Sequence, residues 1–258
     1  MTTQLTIKDV MSKPVSIAKS ALITEALDRM LGEGIDPIIV TNQNTVVGTA
    51  SRRTIAEKIG SKKTGTVPPT QIHVANITKE DFTFAYPDQE IDILIPLLQN
   101  YKIVVVLDAE HKLIGMVTMT DLLKVMKPDC PLEDVIELAP KISPEDRIVH
   151  LHRRMVDDSA TRFIVNDNGK VLGIVTETDL ARAIVKLKGT VEVRHHDNRI
   201  RNLIAQDIMS APVVSVNMTS SVGDVIDLMA EKNISTVLVI SQEKPVGLIT
   251  RRSLISAL

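Results

Sequence analysis

The chain has 258 residues, of which 44% are hydrophobic and 24% charged, a balance typical of globular rather than disordered proteins. Its formal net charge of -2 excludes a bulk attraction to nucleic acid or to an anionic membrane surface. A single cysteine, Cys130, excludes an internal disulfide framework. The first residues lack the pattern of a signal peptide and no apolar run has the length of a membrane span, so a cytoplasmic location is expected.

A strand-turn-strand pattern recurs four times along the chain. Each copy has a β-branched run, a polar turn and a second run that ends in Gly, two mostly apolar residues and Thr or Ser. The copies lie at residues 38–51, 104–118, 164–176 and 238–250. In the third copy, Asn168-Gly169 predicts a two-residue hairpin turn.

Segments with helical spacing precede and follow each predicted hairpin. Met30, Met155 and Met229 occupy matching positions on the preceding helices, which predicts that they are core residues. Ser143-Pro144 predicts the start of one of these helices, with Ser143 as the cap and Pro144 at the first helical position. The repeating unit is therefore a short leading strand, a helix, two strands and a second helix.

A unit of roughly 55 residues is small for independent stability, so pairs of units are expected to share a core. The polar linkers at 61–70 and 188–202 and the short segment at 127–131 separate the units. The predicted modules span residues 1–127 and 128–258, with units at 5–60, 71–127, 130–188 and 203–258.

The motif Gly-apolar-apolar-Thr-x-x-Asp-Leu stands intact at residues 115–122 and 173–180. Looser forms at 48–54 and 247–253 have a hydroxyl residue in place of Asp. With these motifs in the same frame, residues from about 5 to 258 resemble four CBS repeats, and each pair resembles a Bateman module. The resemblance implies an α/β (α+β) fold in which two modules form a disc-like body.

The resemblance further implies that clefts between paired repeats bind an adenosine derivative. AMP, ADP or ATP is expected, with S-adenosylmethionine or coenzyme A as other options, and no cofactor is required. The family uses the Asp of the motif to bond the ribose hydroxyls, with the Thr beside the sugar and phosphate. A carboxylate can accept hydrogen bonds from both vicinal hydroxyls, and such charge-assisted bonds are strong. Carried over by position, these residues are Thr118, Asp121, Thr176 and Asp179.

The motifs of repeats one and four lack the aspartate, so their sites are expected to bind more weakly, to stay empty or to accept another ligand. These motifs are marked by Ser51, Thr54, Thr250 and Ser253. A basic residue precedes the first hairpin strand in repeats two and three, where the resemblance implies a contact with phosphate. Those residues are Lys102 and Arg162. Arginine pairs inside the looser motifs are either a second source of phosphate-binding charge or solvated surface charges. They are Arg52, Arg53, Arg251 and Arg252.

Other interpretations stay open at this point. Thr-x-x-Asp before an apolar helix is also an ordinary helix-capping signal. The basic linker at 194–201, with His195-His196, is either a solvated linker or the contact of a nucleic-acid-associated regulator, although it lacks a DNA-binding motif. A purely structural partner-binding role is the remaining alternative.

The sequence shows no metal-ligand spacing, and His150 and His152 lie two apart on one predicted helix, so they point in different directions and do not make a metal pair. It also shows no catalytic triad or Gly-rich phosphate loop, which indicates a regulatory protein rather than an enzyme. The expected partners are a separately encoded regulated protein and a second copy of the chain in a homodimer.

Overall fold

In a computed structural model that describes residues 5–60, 67–157, 160–190 and 202–258, each of the four repeats contributes one three-stranded sheet. The leading strand pairs in parallel with the first hairpin strand, and the two hairpin strands pair antiparallel. The predicted turn at Asn168-Gly169 has both residues at positive φ, 48° and 90°. The strands are β1 (Ser16–Ala18), β2 (Ile38–Asn42), β3 (Thr45–Ala50), β4 (Phe84–Ala85), β5 (Ile103–Leu107), β6 (Leu113–Thr118), β7 (Lys141–Ile142), β8 (Arg162–Asp167), β9 (Lys170–Thr176), β10 (Ser215–Asn217), β11 (Thr236–Ser241) and β12 (Lys244–Thr250).

Helices flank each hairpin, which confirms the predicted order of elements and the α/β fold class. Their apolar positions follow helical spacing and face the core. The helices are α1 (Ile7–Val10), α2 (Ile23–Gly32), α3 (Arg52–Gly60), α4 (Leu94–Asn100), α5 (Met119–Val125), α6 (Ile148–Asp157), α7 (Glu177–Thr190), α8 (Ala205–Ile208), α9 (Val222–Glu231) and α10 (Arg251–Ser256).

The expected start of α6 at Pro144 was wrong. The carboxylate of Asp146 accepts the backbone N–H of Ser143 at 3.0 Å, and the N–H of Asp146 donates to the carbonyl of Ser143 at 3.1 Å. These bonds close a turn. The helix begins only at Ile148, because the backbone of Arg147 is still engaged in a bridge with Ile204.

The sheets of the two repeats in each module pack face to face. Ile39 of repeat one meets Val105 and Met116 of repeat two, and Ile164 of repeat three meets Leu238 and Leu248 of repeat four. These small apolar clusters join repeats one and two, and repeats three and four, as predicted.

Each repeat also sends a leading segment onto its partner within the module. The leading segments are residues 5–12, 72–79, 132–137 and 203–210. Ile7 and Val10, for example, lie in the core of repeat two, and Val74 lies in the core of repeat one. The segments end in backbone bridges to the last strand of the partner sheet, Ser12 with Met116, Lys79 with Thr49, Glu137 with Leu248 and Ser210 with Ile174.

The glycine of the repeated motif lies where a leading segment crosses this last strand. A Cβ on Gly247 would lie 2.5 Å from Cγ2 of Ile136 and 2.8 Å from the carbonyl oxygen of Glu137. A Cβ on Gly173 would lie 2.7 Å from the sulfur of Met209. At Gly173 the carbonyl oxygen of Ser210 would also lie 2.9 Å away, so these two positions require glycine because another backbone approaches too closely for any side chain.

Helices join the two modules through large apolar cores. One core combines repeats one and three, where α3 packs against α7, and the other combines repeats two and four, where α10 packs against α4 and α5. The three predicted core methionines, Met30, Met155 and Met229, are 0%, 3% and 2% exposed, which confirms their assignment.

His152 of α6 lies at this contact between modules, beside Arg53 and Glu57. Its Nε2 atom is buried without a hydrogen-bond partner among the described residues. Burial lowers the pKa of His152 from its ordinary value of 6.5, with a smaller opposing effect of Glu57 and a smaller reinforcing effect of Arg53. The folded protein therefore binds this proton less readily than the unfolded chain does.

We expect the melting temperature to fall as the pH drops through about 6.5 and below, because the unfolded state gains the proton first. His152→Gln should lose part of this acid sensitivity in thermal melts between pH 7.5 and 5.5. The control is His150→Gln on the exposed face of the same helix, which should behave as the unmodified protein. An undiminished acid response in His152→Gln would contradict the assignment.

Candidate functional site

The intact motif of repeat two is built around the carboxylate of Asp121. Its Oδ2 accepts the backbone N–H of Thr118 at 2.9 Å and the hydroxyl of Thr118 at 2.7 Å. The hydroxyl of Ser12, from the leading segment of repeat one, donates to the same oxygen at 3.4 Å. Asp121 therefore lies in the cleft between repeats one and two, with 13% of its side chain exposed.

The motif of repeat three reproduces this arrangement. Oδ2 of Asp179 accepts the backbone N–H of Thr176 at 2.8 Å and its hydroxyl at 2.6 Å. Oδ1 accepts the hydroxyl of Ser210, from the leading segment of repeat four, at 2.7 Å. Asp179 is only 5% exposed. The donors fix both carboxylates in one orientation.

The same bonds cap the helices that follow the motifs. The helices begin at Met119 and Glu177, two residues before Asp121 and Asp179, because Thr118 caps α5 and the aspartate stands at the third helical position. The helix-capping interpretation of Thr-x-x-Asp is therefore confirmed. A cap and a ligand contact are compatible, because a carboxylate has four lone pairs for hydrogen bonds.

The looser motifs keep the cap but lose the charge. In repeat one, the hydroxyl of Thr54 accepts the backbone N–H of Ser51 at 3.0 Å. In repeat four, the hydroxyl of Ser253 accepts the N–H of Thr250 at 3.1 Å. Thr54 and Ser253 are 7% and 9% exposed. Because their hydroxyl side chains are neutral, neither offers the negative charge that Asp121 and Asp179 carry.

A cavity of about 300 Å³ opens beside the motif of repeat four. Its walls come from the leading segment of repeat three, the residues before β8 and the end of β12. They are formed by Glu137, Leu138, Ala139, Pro140, Ala160, Thr161, Arg162, Leu248 and Thr250. The carboxylate of Glu137 faces the motif here and accepts the hydroxyl of Thr250 at 3.1 Å.

Four segments of the chain match the CBS domain family, at residues 7–61, 74–128, 125–186 and 205–258. The chain is a CBS-domain protein. Its repeats pair into two Bateman modules, as the resemblance implied. Such domains generally serve regulatory rather than catalytic roles.

Two solved archaeal structures share the fold along the whole chain. Protein MJ1225 of Methanocaldococcus jannaschii, which has been suggested to be an archaeal homologue of γ-AMPK, is 21% identical with a TM-score of 0.80, and the match covers 98% of this chain and 99% of that protein. An uncharacterized conserved protein of Pyrococcus horikoshii is 20% identical with a TM-score of 0.62, again over 98% and 99% of the two chains.

Two curated relatives match this CBS-domain protein over part of their own length. Uncharacterized protein MJ1404 of Methanocaldococcus jannaschii is 22% identical over 261 residues, a match that covers 96% of this chain and 61% of the relative. Uncharacterized protein MK0525 of Methanopyrus kandleri is 28% identical over 115 residues, covering 44% of this chain and 54% of the relative. The chain thus spans less than two thirds of the length of either relative.

Lys102 of CBS repeat two lies between carboxylates from the two neighbouring repeats. Its Nζ atom is 3.2 Å from Oδ2 of Asp36 in repeat one and 3.2 Å from Oε2 of Glu177 in repeat three. Burial disfavours the ammonium charge, but Asp36 and Glu177 together outweigh it and raise the pKa of Lys102 above its ordinary value. Lys102 therefore holds three CBS repeats together, and its charge is already balanced.

Arg162 of CBS repeat three has more freedom to meet an anion. Among the described residues its side chain donates to the hydroxyl of Thr161, at 3.0 Å. Burial lowers the pKa of Arg162 from its ordinary value, while Glu137 and Glu177 favour the charged form. It stays a cation at any physiological pH. Arg162 thus places a partly buried positive charge on the wall of the cavity.

The four arginines of the looser motifs already have partners within the protein. Nη2 of Arg52 donates to the carbonyls of Met30 at 2.8 Å and Ile35 at 2.9 Å, and Nη1 donates to Thr178 of repeat three at 3.1 Å. The other three have partners as well: Arg53 with Glu57 at 2.9 Å, Arg251 with the carbonyl of Met229 at 3.5 Å and Arg252 with the carbonyl of Gln99 at 3.1 Å. Arg52, Arg252 and, through Glu177 at 3.8 Å, Arg53 reach the opposite module, a role that the motif alone did not indicate.

Three further sequence predictions bear on the site. The basic linker at 194–201 lies outside the described residues, so a nucleic-acid contact there stays a prediction. Within the described ranges, no group of three or more His, Cys, Asp or Glu side chains has the arrangement of a metal site. In the same part of the chain, every helix is too short or too polar to cross a bilayer.

Proposed function

We propose that this CBS-domain protein is a non-catalytic regulator that binds an adenosine nucleotide, AMP, ADP or ATP, in the clefts marked by Thr118, Asp121, Thr176 and Asp179. The observation that supports the proposal most is the pair of preorganised carboxylates, one in each module. Each is held by a threonine of its own repeat and a serine of the partner repeat. Ribose offers two vicinal hydroxyls, which match an oriented carboxylate.

The contacts around Asp179 supply a route from ligand to partner. Glu177 and Thr178, in the same first turn of α7, bond Lys102 and Arg52 of the other module. A ligand that displaces this turn changes the fit between the modules, and a regulated protein that prefers one arrangement senses the change as a difference in affinity. A homodimer and a cytoplasmic location, both expected from the sequence, are compatible with this role and stay predictions.

The test removes the two charges while preserving side-chain shape. We expect Asp121→Asn with Asp179→Asn to weaken the affinity for AMP or ATP by about tenfold to a hundredfold, the value of a lost charge-assisted hydrogen bond. Isothermal titration with AMP, ADP, ATP and, for base specificity, GTP measures this directly. A nucleotide that binds the double variant as tightly as the unmodified protein would show the aspartate assignment to be wrong.

A matched control separates ligand contact from helix capping. Asp9 and Asp224 close the same capping box at exposed helix starts, accepting the N–H of Thr6 at 2.8 Å and of Ser221 at 3.2 Å. Asp9→Asn with Asp224→Asn therefore removes two capping carboxylates outside the clefts. This variant should lose stability to a similar extent and keep its nucleotide affinity.

A further inference from the structure

The four leading segments place one residue at an equivalent position in each cleft. Ser12, Lys79, Glu137 and Ser210 each exchange two backbone hydrogen bonds with the residue two places before the motif hydroxyl, with N···O distances of 2.8–3.1 Å. Because the backbone pairing is the same in all four, their side chains start from the same point relative to the motif. Differences between the clefts are therefore differences of side chain.

The carboxylate and the hydroxyl exchange places between clefts. Where the motif carries Asp121 or Asp179, the leading residue is a serine that donates to it. Where the motif carries Ser253, the leading residue is Glu137, which accepts the hydroxyl of Thr250. The cleft of repeat four thus keeps its negative charge, supplied from the partner repeat.

The residues that line the cavity beside Glu137 include a hydrogen-bond acceptor, a cation and apolar side chains, which together suit a small phosphorylated ligand. Oε1 of Glu137 accepts no hydrogen bond from the described residues, so it is available for a ligand hydroxyl. Arg162 also lines the cavity and supplies a positive charge, and Leu138, Ala139 and Leu248 supply apolar surface. A volume of about 300 Å³ stands at the lower end of ligand pockets, so the cavity suits a ligand with a short tail.

We propose that this cavity is a third nucleotide site, selective for a nucleoside monophosphate, in which Glu137 accepts the sugar hydroxyls in place of the missing aspartate and Arg162 binds the phosphate. The inference rests on the proposed function for the class of ligand. It assigns a site to repeat four, which the sequence motif alone marks as weak, empty or adapted. Glu137 is the residue that adapts it.

The test isolates the cavity by working in the Asp121→Asn, Asp179→Asn background. Isothermal titration with AMP should there show one remaining site. Glu137→Ser should weaken it by about tenfold to a hundredfold, and Glu137→Gln, which preserves shape and the acceptor for Thr250, by about tenfold. Glu133→Ser on the same leading segment is exposed and should leave AMP affinity unchanged. With 2′,3′-dideoxy-AMP, which lacks the sugar hydroxyls, Glu137→Gln should have no effect.

A double variant that moves the carboxylate from the leading segment to the motif gives a second test of the site. Glu137→Ser with Ser253→Asp recreates the arrangement of repeats two and three and should restore AMP affinity to within a few-fold. Loss of all AMP binding in the background, while the unmodified protein binds, overturns the third site and leaves the proposed function standing. Binding that survives the two Asn changes undiminished and disappears with Glu137→Ser keeps the third site and overturns the aspartate assignment. An unmodified protein that binds no nucleotide overturns both.

Discussion

Gly48→Ala is expected to lower the free energy of unfolding by about 2–4 kcal/mol, within the range of severe steric and backbone changes. Gly48 has φ of 149°, a conformation that side chains rarely adopt. A Cβ here would also overlap the carbonyl oxygen of Lys79 and lie 2.8 Å from Cγ2 of Thr78. The carbonyl cannot retreat freely, because Lys79 is bonded to Thr49 through both of its backbone groups, at 2.9 and 2.8 Å.

Thermal and urea unfolding measure the loss, which corresponds to a fall in melting temperature of roughly 5–15 °C for a chain of this size. Two control variants separate its causes. Gly169→Ala, at φ of 90° with open space around it, reports the backbone cost alone. Gly32→Ala, in a helix and also in open space, should raise stability by about 0.5–1 kcal/mol. A melting temperature of Gly48→Ala equal to that of Gly169→Ala would contradict the crossing-segment explanation.

Arg52→Ala is expected to lower the free energy of unfolding by about 2–4 kcal/mol, since hydrogen bonds to charged groups contribute about 1.5–3 kcal/mol and buried acceptors left unpaired cost more. Arg52 is the partner of two carbonyls at the end of α2 and of Thr178 in the other module. Lysine should not replace it, because a single ammonium lacks the planar fork that reaches three acceptors at once.

Arg53→Ala is the matched control. Arg53 stands next in the chain and is 32% exposed. Its 2.9 Å ion pair with Glu57 lies within α3, it approaches Glu177 of the other module only at 3.8 Å, and pairs of an exposed arginine contribute little. Its unfolding free energy should therefore change by no more than about 1 kcal/mol. Equal losses in the two variants would show that the reach of Arg52 across the modules is unimportant for stability.

The hairpins were predictable from sequence because their signals are local. A β-branched run, a polar turn such as Asn168-Gly169 and a closing glycine suffice to identify them. The capping boxes of Thr118 and Thr176 were readable for the same reason. The start of α6 was misjudged because the backbone N–H of Asp146 can donate either to a capping hydroxyl of Ser143 or to the carbonyl of Ser143 in a turn, and the structure has the turn. The bridge between Arg147 and Ile204, a tertiary contact that the local sequence does not show, decides between the two.

The residues that sequence reasoning missed act through long-range contacts. Ser12 stands 109 residues from Asp121, and Glu137 stands 113 residues from Thr250. The Met-Ser pair that recurs at the starts of repeats one and four could have drawn attention to Ser12 and Ser210. The pair alone does not show that these serines contact the aspartates, because that contact depends on which strand the segment crosses. Glu137 breaks that pattern, so the sequence alone offered no reason to connect it with the motif of repeat four.

The exchange of leading segments has a consequence for dissecting the chain. A fragment that contains a single repeat keeps its leading segment but lacks the partner repeat on which that segment packs. It also lacks the partner's leading segment, which covers part of its own core. Both losses uncover apolar side chains such as Val10 and Val74, which are 9% and 0% exposed in the intact protein. The smallest piece that retains every such reciprocal contact spans two repeats. A half still exposes the helices that form the cores shared with the other module, so only the intact chain keeps both sets of contacts.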